Sequence, residues 1–139
     1  MSYGTAAVDV VQSSTTGTPT QFQDGSGTQI GTLCRAWVKF TGATGVVGAS
    51  FNVSSVTRNA AGDYTVNFST AMPDIYYTTN INGGSNSGGS WYAYSVPNAQ
   101  SSSPYYQAPT TSNFRFVTST SSTGGSNGDP LYVSVSVFR

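Results

Sequence analysis

The chain has 139 residues, with five Lys or Arg balanced by five Asp, no Glu, no His and one Cys, and only 7% of it is charged. The lack of His excludes a Ser or Thr nucleophile activated by imidazole, and the lone Cys34 excludes an internal disulfide. Arg35, Lys39, Arg58, Arg115 and Arg139 are spread along the chain, with no basic run to neutralise the phosphates of a nucleic acid.

The length suits one domain with one core. Ser, Thr, Gly, Asn, Val and Tyr supply a vocabulary of strands and turns, and a net charge of zero favours association over self-repulsion. Cys34, with no His or second Cys beside it, reads as a small buried apolar residue rather than a metal ligand. The first residues have neither a basic start nor a long apolar run, and no window approaches the roughly 20 apolar residues that span a bilayer. Synthesis in a cytoplasm without membrane insertion is expected.

Residues 1–30 differ in texture from the rest. "AAVDVV" (6–11) is a short strand candidate, and "QSSTTGTPTQFQDGSGTQ" (12–29) has turn chemistry and little to bury. The segment reads as an extended N-terminal attachment arm that lies along a partner, with residues 31–139 as the folded domain.

From "LCRAWVKF" (33–40) onward the pattern is that of strands. Ala36, Val38 and Phe40 share one face, and Arg35, Trp37 and Lys39 the other. In "FNVSSVTRNAAGDYTVNFSTAMPD" (51–74), Tyr64, Val66 and Phe68 point one way and Thr65, Asn67 and Ser69 the other, as in a strand with one wet face. Its partner strand keeps Phe51, Val53 and Val56 together in the core only if one extra residue is inserted near Ser54 and Ser55, so a β-bulge is predicted there. The loop "RNAAGD" suits a type I turn with Gly62 left-handed. Pro73 ends the ladder, and "IYYTTNI" (75–81), "WYAYSV" (91–96), "NFRFVTS" (113–119) and "PLYVSVSVFR" (130–139) follow as further strands. In the last, Leu131, Val133, Val135 and Val137 alternate against Tyr132, Ser134, Ser136 and Phe138. No window has helical spacing. The expected fold is all-β, an antiparallel, jelly-roll-like β-sandwich of roughly seven or eight strands.

Three stretches, "GTLCRAWVKFTG" (31–42), the hairpin at 51–74 and "VSVSVFR" (133–139), resemble a module of tailed-bacteriophage virion proteins that are described as tail fibres or fibre-like. Lys39 stands where that family more often has Asn, and the run before the Phe51 strand is shorter, so a local loop change is expected there. The resemblance implies a homotrimer on the virion surface and a non-enzymatic structural role as a fibre or tail-appendage domain in host adsorption. A capsid decoration protein, whether cement or head fibre, is the alternative. Other virion proteins, of the capsid or the tail, are the implied partners through the N-terminal arm.

Chemistry is sparse. Asp9, Asp24, Asp63, Asp74 and Asp129 are the only carboxylic side chains. Asp24, Asp63 and Asp129 flank Gly or Pro in turns and Asp74 follows Pro73, so no acid pair, catalytic residue, metal site or cofactor is expected. "INGGSNSGGS" (81–90) lacks the Lys and the helix that would cradle phosphate, and reads as a loop or hairpin tip. The suggestive group is aromatic: Tyr76, Tyr77, Trp91, Tyr92, Tyr94, Tyr105 and Tyr106. Some of these rings are expected to pack in the core or against a neighbouring subunit. The outward ones, with Trp91, Tyr92, Tyr94, Tyr105 and Tyr106 as candidates, are expected to form a shallow adsorption surface for host-envelope glycan.

Overall fold

A computed structural model describes residues 10–12, 20, 22–84, 92–94, 107–119 and 127–139. These contain ten strands and no helix, and every strand pairing is antiparallel. Two compact units divide the chain, Met1–Leu33 and Cys34–Arg139.

In the first unit, β1 (Phe22–Gln23) pairs with β2 (Gln29–Gly31). Asp24 makes the turn between them: its Oδ1 accepts from the backbone N–H of Ser26 and of Thr28, each at 2.9 Å, and Gly27 follows at φ +84°. The hydroxyl of Ser26, then the Thr28 amide, hold the Asp24 carboxyl below its ordinary value. The turn role read from the sequence is therefore observed. Of the candidate strand at 6–11, residues 6–9 lie outside the described residues, and Val10 and Val11 are exposed and outside any strand.

The second unit holds two four-stranded sheets. One has β4 (Val47–Phe51), β3 (Cys34–Phe40), β10 (Tyr132–Phe138) and β7 (Thr78–Gly84) in that order. The other has β5 (Val53–Ala60), β6 (Asp63–Phe68), β9 (Asn113–Ser119) and β8 (Tyr92–Tyr94). The period-2 pattern decides what each strand buries. Ala36, Val38 and Phe40 of β3 and Val133, Val135 and Val137 of β10 meet Tyr64, Val66 and Phe68 of β6 and Phe114 and Phe116 of β9 in one cluster. Phe40 meets Tyr64 edge to face with ring centroids 5.1 Å apart, and Tyr64 meets Phe116 at 5.5 Å, so the rings join one sheet to the other. Each fully buried Val or Phe of the cluster contributes roughly 1.5 to 3 kcal/mol by leaving water.

The hairpin of β5 and β6 follows the sequence reading in two respects. The register slips between Val53 and Ser55, which leaves Ser54 as the extra residue. Val53 and Val56 thereby both pack against the core. Gly62 sits at φ +67° in the turn.

Phe51, expected beside Val53 in the core, is instead 55% exposed. The chain changes sheets between them. Asn52, at φ +54°, makes the corner, its amide donating to Arg35 O and Thr70 O at 3.1 Å each while its Oδ1 accepts from Thr70 N–H at 2.7 Å. Phe51 therefore belongs to β4, where it lies opposite Trp37. The short connection expected before it is a turn over 41–46, closed by Thr41 N–H donating to Val46 O at 3.0 Å.

Four other expectations are corrected. Leu131 is exposed: it precedes β10, which begins at Tyr132, although its N–H still donates to Gly84 O of β7 at 2.8 Å. Cys34 is half-buried and outside the core, at the frayed start of β3 where the register with β10 is irregular; its Sγ–H points to Ala36 O at 3.2 Å. Ile75 and Tyr76 are exposed, since β7 starts at Thr78. Ile81–Gly84, read as part of a loop, is the second half of β7. The Tyr132 ring covers Gly84, so a side chain there would have to displace the outer end of that ring.

Candidate surface sites

The aromatic candidates divide by position. Trp91, Tyr105 and Tyr106 lie outside the described residues. Tyr92 and Tyr94 are on β8, whose backbone pairs at the edge of the second sheet with Ser119 and Val117 of β9. Tyr77 is a core-side residue: its ring packs edge to face on Phe68 at 5.6 Å and on Phe114 at 6.1 Å. Its hydroxyl donates towards Thr110 O at 2.9 Å and Asn113 O at 3.1 Å. Burial pushes its phenol up to about 12.

Beside Tyr77 a groove of about 240 Å³ opens, lined by Thr78, Thr79, Gln107, Pro109 and Arg115 among others. Gln107 directly follows Tyr106 in the chain, so the groove adjoins in sequence the segment that carries two of the adsorption candidates.

The three carboxylates of the second unit are each paired with an Arg of the same unit. Asp63, 1% exposed at the start of β6, pairs with Arg115 of β9 and accepts from Asn59 Nδ2 at 3.2 Å. Asp74 holds Arg139, whose Nε lies 2.7 Å away, and accepts the Tyr76 amide; these contacts keep its carboxyl below the ordinary range. Asp129 takes the N–H of Gly62 at 2.8 Å, the hydroxyl of Tyr64 at 2.6 Å and Arg58 Nε at 3.1 Å. Burial pushes the Asp129 carboxyl up, but Arg58, Tyr64 and Gly62 together more than offset it and the net shift is downward. Asp63 and Asp129 are thus more than the turn residues the sequence suggested. Their Arg partners lie 52 and 71 residues away, a separation at which no local signal exists.

A second surface was not picked out as a site from the sequence. Arg35, Trp37 and Lys39 share the outer face of β3, and Phe51 of β4 lies directly opposite Trp37. The alternation of β3 had placed the three side chains on one face; that they are the centre of an aromatic and cationic patch depends on which strand lies next door. Among the described residues no group of three or more His, Cys or Asp could hold a metal ion, and no helix is long and apolar enough to cross a membrane. Comparison with family models, with curated proteins and with solved structures finds no match.

Proposed function

We propose that the protein is a non-enzymatic structural component of a tailed-phage virion, displayed on the particle surface as a fibre or tail-appendage domain that takes part in host adsorption. The observation that carries this reading is the use of Asp63, Asp74 and Asp129 to pin Arg115, Arg139 and Arg58 within the fold. With no His or Glu in the chain and these three carboxylates paired, the described surface of the second unit offers rings, hydroxyls, amides and the cations Arg35 and Lys39, which make contacts rather than move protons. The wording of residues 31–42, 51–74 and 133–139 supports the phage assignment.

In this reading the two sheets form a jelly-roll-like sandwich and three copies assemble. All five residues of β4 are exposed at a sheet edge with no charge among them, and such an edge is open to pairing. Residues 1–30 fasten the trimer to another virion protein, and Trp91, Tyr92, Tyr94, Tyr105 and Tyr106 are the candidates for binding the host glycan.

Purified protein is expected to bind host cells and to compete with phage for them, and alanine at Trp91, Tyr92, Tyr105 and Tyr106 to abolish both effects. Host binding that survives all four substitutions would remove the adsorption surface from the proposal. Capsids that lose the protein and become fragile to heat or osmotic shock would move it to the capsid as a decoration protein.

A further inference from the structure

The outer face of the first sheet carries the only strong charge imbalance among the described residues of the second unit. Three of its five cations, Arg58, Arg115 and Arg139, are each paired with one of its three carboxylates. The other two, Arg35 and Lys39, form no ion pair among the described residues and stand on one face of β3 with Trp37 between them. Trp37 is 40% exposed and Phe51, its direct cross-strand partner, 55%. Lys39 Nζ lies 4.7 Å from the centre of the Tyr132 ring, and next to that pair a hollow of about 190 Å³ opens over Gly48 and Ala49, where small residues leave room. Opposite Trp37 and Lys39 on the other side stand Ser136 and Ser134 of β10.

We infer that this face is a binding site for an acidic oligosaccharide, one sugar ring lying on the shelf of Trp37 and Phe51 and its carboxylate reaching Lys39 at the hollow. Residues two apart on a strand are about 7 Å apart, the span of one sugar ring with its exocyclic acid. Tryptophan offers the flat apolar face on which the C–H groups of a sugar pack, the serine hydroxyls match sugar hydroxyls, and an ammonium at the rim matches the acid.

The charges decide against the other occupants. A second copy docked through the same face would bring two Arg35 and two Lys39 together without a carboxylate between them. A neutral apolar peptide would desolvate both cations unpaired. A nucleic acid would find two cations, too few for the phosphate contacts that drive such binding.

The inference takes from the proposed function only the setting in which such a glycan would be met. The chemistry of the face stands without it.

The test uses the full chain carrying Trp91→Phe, which leaves Trp37 as the sole tryptophan and its emission as the reporter. The probes are oligogalacturonate and its methyl ester, the same ring with and without charge. The acid is expected to shift Trp37 emission and to bind about tenfold more tightly than the ester. Lys39→Gln should cancel most of that preference and leave ester binding unchanged, while Trp37→Ala, followed by calorimetry, should lose both ligands. Equal binding of acid and ester, an acid preference that survives Lys39→Gln, or no binding of either probe would overturn the assignment. So would a Trp37 already shielded from iodide in a manner that grows with protein concentration, since the face would then be covered by another copy. Adsorption that ignores alanine at Trp91 and Tyr105 sinks the proposed function alone; loss of the acid preference sinks this site alone.

Discussion

Asp129 is the residue whose removal tests the architecture most directly, because one carboxylate oxygen ties the β5–β6 turn to the chain just before β10. In Asp129→Ala the Tyr64 hydroxyl keeps an acceptor, Gly42 O at 3.1 Å, so it exchanges a charge-assisted bond for a neutral one, a loss of about 1 kcal/mol. The Gly62 N–H has no such reserve, and an orphaned donor costs about 1 to 3 kcal/mol. The Arg58 pair is partly exposed and screened by solvent, so it adds little. The sum is about 3 kcal/mol for Asp129→Ala, and about half of that for Asp129→Asn, which keeps one oxygen acceptor. Tyr64→Phe, which keeps the ring in the core, should cost about 1 kcal/mol, and the double variant should fall short of the sum by about the same amount. Urea unfolding at neutral pH measures all four.

The pH dependence follows from the same contacts. The folded Asp129 carboxyl titrates below its ordinary value of 3.8, so folding favours the ionised form. Its contribution is complete above that value and is lost as pH falls below it, a loss that Asp129→Asn should not show. An Asp129→Ala cost below about 0.5 kcal/mol, or strict additivity with Tyr64→Phe, would refute the account.

Three further outcomes are expected. Gly62→Ala should destabilise by about 3 kcal/mol in the same urea assay, because the new Cβ would lie 2.5 Å from Gly128 N and 2.6 Å from Thr118 O at a left-handed φ. Asn52→Ala should cost about 2 kcal/mol, since the corner between the sheets loses three hydrogen bonds and a side chain suited to φ +54°; a thermal melt unchanged from the parent would show that the corner is held by something else. In alkali, Tyr77, held up to about 12 by burial, and Tyr64, raised by burial and then by its bond to Asp129, stay protonated in the fold while the unfolded chain loses those protons near 10. Their stabilising contribution is full below pH 10 and declines as pH rises towards 12, so tyrosinate absorbance from these two should appear only with unfolding.

What the sequence determined by itself was the direction of side chains along each strand. Ala36, Val38 and Phe40, then Tyr64, Val66 and Phe68, then Val133, Val135 and Val137 could be assigned to a buried face because alternation is a property of the backbone two residues at a time. The bulge at Ser54 and the left-handed Gly62 were legible for the same reason, since parity and turn chemistry are read over a few neighbours. The tertiary structure alone decided where a strand leaves one sheet for the other. Phe51 and Val53 obey one local pattern, yet Asn52 sends them to different sheets by bonding to Arg35 and Thr70, whose positions depend on the whole fold. It also decided which charges meet. Asp63 finds Arg115, Asp129 finds Arg58, and Arg35 and Lys39, beside Trp37 and Phe51, form no ion pair among the described residues, because strand order sets who stands opposite whom, and strand order depends on residues from both sheets meeting in one core cluster.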